Sequence, residues 1–267
     1  MKIGVRAHDF GKQSPELLAS AIKRAGYNAV QLAPYKALDI HAEEMIKPAK
    51  VARIRDAFSN EGVGIAVLGC YVEPGSMEDD VYRASFEKFR SHIQIAKDIG
   101  ASCVATETTP FKAPESEREK AYARVLAFVR EMAGEAERYD TAIAIEPVLT
   151  HTIHTPAMMA RLIQQVSSPR LKVIFDPINL LSPIEAEKQG TLWQTCFDQF
   201  GGRITALHVK DGRFENGQYI PLPLGEGIMD FKPVMDWVRV QSSEIPLLRE
   251  EANPALAQKD ILFLRGF

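Results

Sequence analysis

The feature that most constrains this chain is a rhythm. Short apolar runs alternate with longer amphipathic segments: residues 3–7 then 15–25, 29–33 then 48–60, 65–70 then 82–98, and 103–106 then 117–138. The second half repeats the pattern: 142–148 then 156–166, 173–175 then 192–200, 204–209 then 231–240, and 247–248 then 256–264. The short runs have strand length, and the longer segments space their apolar residues three and four apart, as helices do. Ser14 stands where an N-cap belongs, and Gly26, Gly62 and Gly100 follow the ends of helical segments. Eight such units at about 33 residues apiece match one strand–helix repeat each, which is the arithmetic of an α/β protein folded as a (β/α)8 barrel. A doubly wound sheet would carry a glycine-rich phosphate loop after its first strand. That turn reads His8-Asp9-Phe10-Gly11-Lys12-Gln13, which is no such loop. No linker or low-complexity tract divides the chain, so a single domain over residues 1–267 is expected.

Composition narrows the function classes. Lys and Arg total 32 against 35 Asp and Glu, a formal charge of -3. That balance gives no basic surface for a phosphate backbone, so nucleic acid is not an expected partner. Cys70, Cys103 and Cys196 are odd in number and far apart, which excludes a disulfide framework and a Cys-x-x-Cys zinc site. The first residues hold no long apolar stretch and no run reaches a membrane-spanning length, so no membrane partner and a cytoplasmic setting are expected.

In a barrel, the residues that end the strands share one mouth, and chemistry is found there. Here the fifth strand ends at Glu146, the sixth at Asp176, the seventh at His208 and the eighth at Glu250-Glu251. Side chains alternate along a strand, so Ala142, Ala144 and Glu146 share one face while Ile143 and Ile145 take the other. Ala206 and His208 are likewise separated from Leu207 and Val209. Three carboxylates converging in one mouth repel each other unless a cation joins them. Oxygen ligands with one imidazole suit a divalent Mn, Mg or Co ion, with Zn also open.

These strand ends carry a resemblance. Ile145-Glu146-Pro147, the stretch 174–179 from Ile174 to Asn179, Leu207-His208-Val209-Lys210-Asp211, the loop 225–231 with its spaced glycines, and Pro246-Leu247-Leu248-Arg249-Glu250-Glu251 follow one another in the order and spacing seen in the xylose isomerase-like TIM barrel family of sugar phosphate isomerases and epimerases. The chain resembles that family along essentially its whole length. The resemblance implies one divalent metal ion held by Glu146, Asp176, His208 and Glu250. Placing Glu250 inward sends Arg249 outward, whereas Glu251 inward would bring Arg249 into the barrel, and the family's closing strand aligns with Glu250. It further implies an isomerase or epimerase of a sugar or sugar phosphate, with Glu146 and Glu250 as catalytic residues passing a proton through an enediolate. A dehydratase of a keto-sugar or keto-inositol, or a sugar-binding barrel without activity, are the alternatives. A nuclease of the endonuclease IV type shares the fold but calls for more ligands and a basic face. One departure stands out: ketose epimerases of this family place a substrate-holding histidine three residues after the sixth-strand aspartate, where this chain has Asn179. The chain is also similar to members of unassigned activity in its phrases Leu68-Gly69-Cys70-Tyr71 and Thr106-Glu107-Thr108.

Further substrate-binding candidates lie beside these ends. Glu107 closes the fourth strand, where it would meet a sugar hydroxyl or form a rim ion pair. His151 and His154 follow Glu146, in a loop where a solvated histidine is the plainer reading. His8, with Asp9, follows the first strand and would form the far wall, unless Asp9 merely caps a helix. Asn179 and Lys210 complete the set, with Lys210 and Arg213 the residues that would meet a phosphate. His92 reads as structural, and Cys70 has no adjacent base. The expected partner is a small sugar or sugar phosphate; assembly as a homo-oligomer stays open.

Overall fold

The computed structural model describes residues 1–40, 46–241 and 244–267. Eight parallel strands close into a barrel: β1 (Ile3–Arg6), β2 (Ala29–Leu32), β3 (Gly64–Gly69), β4 (Val104–Glu107), β5 (Ile143–Glu146), β6 (Leu171–Phe175), β7 (Ile204–Val209) and, after a hairpin, β10 (Leu247–Arg249). Around the barrel the strands run in chain order. Closure comes from β10, which pairs with β7 on one side and with β1 on the other through Ile3 opposite Leu247 and Val5 opposite Arg249. The expected barrel is the observed one.

Alternation sorts the apolar residues into two layers. Ala29, Val67, Cys103, Ala105, Ala144, Ile174, Ala206 and Leu248 pack together inside the barrel. Their neighbours along the strands, including Ile143, Ile145, Leu207 and Leu247, join the larger core between barrel and helices. That outer core is covered by α1 (Pro15–Arg24), α3 (Pro48–Asn60), α4 (Asp79–Ile99), α5 (Arg118–Arg138), α6 (Pro156–Val166), α8 (Gln189–Phe200), α9 (Phe231–Arg239) and α10 (Ala257–Arg265). Ser14 Oγ does accept the Leu17 N–H, capping α1. Two helices, α4 and α8, start three residues earlier than the apolar spacing indicates. α4 begins at Asp79, where Asp79 and Asp80 put negative charge beside the open N–H groups of its first turn. No helix among the described residues is long and apolar enough to cross a membrane.

Three elements escape the apolar rhythm, two because they are too short to show a period and one because it buries little. Two are single turns at the mouth, α2 (Pro34–Ala37) and α7 (Pro177–Leu180). The third is an antiparallel hairpin between β7 and α9, formed by β8 (Asp211–Glu215) and β9 (Gln218–Leu222). Its turn is Asn216-Gly217, both with positive φ (51° and 79°), which is the geometry of a two-residue hairpin turn and a legible sequence signal.

Candidate metal centre at the barrel mouth

The ends of β5, β6, β7 and β10 deliver four buried polar side chains to one place. Glu146 is the last residue of β5. Asp176 follows β6 and caps α7, its Oδ1 accepting the Asn179 N–H at 3.1 Å. His208 lies near the end of β7, and Glu250 follows β10. The His208 ring is the hub: Nδ1 stands 3.3 Å from Glu146 Oε2, 3.5 Å from Glu250 Oε1 and 3.9 Å from Asp176 Oδ2. Its other nitrogen, Nε2, lies 2.6 Å from the Oε1 of Gln31 on β2, across the barrel. An amide oxygen only accepts, so Gln31 keeps a proton on Nε2 and leaves Nδ1 as the nitrogen that faces the carboxylates.

His208 Nδ1 and Asp176 Oδ2 are both buried without a hydrogen-bond partner. One ligand atom each from Glu146, Asp176 and His208 lies within 4.8 Å of the others. Beside them is a cavity of about 10 Å³ lined by Gln31, Tyr71, Glu107, Glu146 and His208, close to the room that one water-sized sphere needs. A carboxylate oxygen and an imidazole nitrogen, both buried without a hydrogen bond and grouped with Glu146, are a donor set that fits a divalent cation.

The Lys210 ammonium also reaches this cluster. It is buried, pairs with Asp176 Oδ2 at 3.0 Å and Glu250 Oε2 at 3.5 Å, and donates to Asn179 Oδ1 at 2.7 Å. Asn179 in turn donates to Glu146 Oε1 at 2.6 Å. The contact to Asp176 Oδ2 is a charge contact rather than an aligned hydrogen bond. Burial opposes charge on every member, yet for His208 and Lys210 the surrounding carboxylates prevail: His208 is pushed up to about 9, and Lys210 is held above the usual lysine range. For Glu250, burial is outweighed by His208, Lys210 and Arg6, bringing it down to about 2. Burial dominates at Asp176, which rises to about 6 despite Lys210.

A family model described as the xylose isomerase-like TIM barrel matches residues 19–266. The chain belongs to that family. Solved structures of like fold include 3-keto-D-glucoside 4-epimerase from E. coli, with TM-score 0.78, 17% identity and 100% of each chain covered. A D-tagatose 3-epimerase-like protein superimposes with TM-score 0.81 at 17% identity, covering 100% of this chain and 96% of that one. The IolI protein with a bound zinc atom does so with TM-score 0.77 at 14% identity, again covering 100% and 96%. No curated protein matches the chain by sequence.

Within this xylose isomerase-like barrel the remaining expected residues take distinct places. Glu107 ends β4 directly across from Glu146, with its Oε2 3.6 Å from His151 Nε2. Burial, then the nearby Glu146 and Glu250, push Glu107 up to about 7. His151 is buried at this rim, while His154 lies by Arg118 and Glu115, whose charges act on it. His8 is half-buried, edge-on to Tyr71 at 6.4 Å, and burial with the Arg6 and Lys36 charges lowers it to about 4. Asp9 caps no helix. It lies inside a short 3-10 turn (Ala7–Phe10), takes Arg6 on one oxygen and the Ala252 N–H on the other, and so ties β1 to the segment after β10. Lys210 is engaged by the carboxylates and Arg213 is paired with Glu215 in the exposed hairpin, so both are occupied by protein partners. Arg249 points outward to Asp260 at 2.9 Å, and Glu251 is exposed at a φ of 54°.

Three residues at the mouth lie outside the sequence-based set. Gln31 is a lone polar residue in the apolar run 29–33, which is itself the signal of an inward polar role. Tyr71, from the Leu-Gly-Cys-Tyr phrase, accepts from Gln31 Nε2 at 3.1 Å. Arg6 reaches Glu250 Oε1 at 3.5 Å.

Proposed function

We propose that this barrel is a divalent-metal-dependent sugar isomerase or epimerase in which Glu146 and Glu250 carry a proton to and from a carbon beside a carbonyl. The observation that supports it most is the pair of orphaned buried atoms, His208 Nδ1 and Asp176 Oδ2, turned toward Glu146 Oε2. Glu146, Asp176 and His208 would hold the ion, with Glu250, whose Oε1 stands 3.5 Å from His208 Nδ1, as the fourth ligand. The ion would be of the Mn, Mg, Co or Zn class, and its charge polarises a carbonyl oxygen and so acidifies the neighbouring C–H.

The chain's own groups supply the rest. Asn179 donates to Oε1 of Glu146 and leaves Oε2, 3.3 Å from His208 Nδ1, as the oxygen that would accept a proton. Glu250 is oriented from the opposite side by Arg6 and Lys210. The two glutamates approach His208 Nδ1 from separate strands, so a sugar carbon lying between them would present a different face to each. Asn179 cannot exchange a proton at neutral pH; in this reading it positions Glu146 and Lys210.

The test is isotope exchange. Metal-loaded protein incubated with ketoses and their phosphates in D2O should place deuterium on the carbon beside the carbonyl, and Glu146→Gln should abolish the label. A product lighter by one water would instead move the assignment to a dehydratase. Tight sugar binding with neither label nor water loss would leave a sugar-binding barrel and end the enzyme reading.

A further inference from the structure

The phrases Leu68-Gly69-Cys70-Tyr71 and Thr106-Glu107-Thr108 do not contribute to the ion-binding cluster, yet both shape the space next to it. A cleft of about 750 Å³ opens between the ends of β3 and β4 and the outer face of α4. Tyr71, Thr106 and Glu107 line both this cleft and the small cavity at His208, so the two adjoin. Pockets of about 300–1,000 Å³ take ligands of drug size, and a monosaccharide with its reacting carbon at Glu146 would leave most of this one empty.

The walls indicate what fills it. Two carboxylates, Glu73 and Glu107, and two ammonium groups, Lys88 and Lys112, border the cleft, so its charge balances. The Lys88 ammonium is held against the cleft wall by the Tyr71 carbonyl at 3.0 Å and the Tyr35 ring at 4.1 Å. Lys210 is spent on Asp176 and Glu250. A phosphate would therefore meet Glu73 and Glu107 along with Lys88 and Lys112 and find no dedicated cationic cradle, whereas hydroxyl groups find acceptors in Glu107 and Glu73 and donors in Tyr71 and Lys112.

We propose that this cleft binds a second sugar unit, and that the substrate is a ketose bearing a neutral glycosyl group on the side away from its carbonyl. The proposal rests on the reading of the mouth as a sugar proton-transfer site. Three probes isolate the point because they differ only at carbon 6: D-fructose, D-fructose 6-phosphate and isomaltulose, which carries a glucosyl unit there. With the metal-loaded protein, calorimetry should give isomaltulose an affinity at least tenfold above both others. Ala84 lies on the cleft wall contributed by α4 and is exposed. Ala84→Trp should fill the space and bring the isomaltulose-to-fructose ratio to near one, with Val81→Trp as an independent second filling. Equal affinities in the wild type, a preference for the phosphate, no binding of any probe, or an unchanged ratio in both filled variants would each overturn the proposal. Deuterium exchange read in the same samples keeps the two readings apart. Exchange without glycosyl preference defeats only the substrate class, and glycosyl preference without exchange defeats only the proposed chemistry.

Discussion

At the scale of single residues, the mouth is governed by what happens to charge that has left water. His208, Lys210 and Arg6 offset Glu146, Asp176 and Glu250, and Gln31 decides which imidazole nitrogen faces them. Replacing Gln31 with Leu removes the acceptor that fixes the His208 tautomer; loss of such outer partners lowers metal affinity by roughly 10–100-fold. Calorimetric titration with Mn or Zn should show that drop in Gln31→Leu, a larger one in His208→Ala, and none in His92→Ala, whose ring lies buried in α4. Lys210 is expected to act in the other sense. Its ammonium balances the carboxylates without an ion and competes with an incoming one, a repulsion worth several kcal/mol at ~4 Å and an effective dielectric of ~20. Lys210→Met should melt earlier without metal and bind metal more tightly than wild type, by about tenfold or more. Weaker binding in this variant would mean that Lys210 orients the ligands rather than competing for them.

At the scale of elements, two features outside the ion cluster give their own tests. The Asp211 carboxylate, just after β7, accepts the N–H groups of Gly212 and Gly225 at 2.9 Å and of Gly227 and Met229 at 3.0 Å. This explains the glycines of the 225–231 loop: Gly225 sits at a φ of 81°, and a side chain at Gly227 would strike Asp211 and the Gly212 backbone. Asp211→Ala leaves several buried donors without an acceptor at ~1–3 kcal/mol each. Its melting temperature should fall, and limited proteolysis should begin within 223–230. In α4, His92 Nδ1 lies 2.8 Å from the Lys88 carbonyl while Nε2 is buried without a partner. Burial pushes its pKa from 6.5 down to about 4. The fold therefore favours neutral His92: the stabilisation is complete above 6.5 and is lost as pH falls toward 4, up to about 3 kcal/mol. Urea unfolding across that range should show a shallower decline in His92→Phe than in wild type.

At the scale of the molecule, the candidate ion site draws its residues from four adjoining strands, β5, β6, β7 and the closing β10, so filling it should stabilise that half of the barrel and its closure. Free metal at 100 times its dissociation constant adds about 2.7 kcal/mol, or roughly 5–10 °C in melting temperature for a chain of this size. Chelator should remove that shift; a transition indifferent to both metal and chelator would count against the site.

What the sequence determined by itself is the part governed by local periodicity: the number of barrel strands, the faces of β5 and β7, and the polar residues at the ends of β5, β6, β7 and β10. Those follow from alternation with period two, which a chain carries in its own order. The Asn216-Gly217 hairpin turn was equally written there. Other features were decided only in three dimensions. Gln31 meets His208 from 177 positions away. Lys210 turns toward carboxylates just after β6 and just after β10, and Asp9 leaves helix capping for a backbone amide after β10. The cleft between β3, β4 and α4 exists only as a gap between packed elements. A side chain's periodic position sets the face it emerges from, but its partner is set by which distant strand closure brings alongside, and that depends on the whole barrel closing at once.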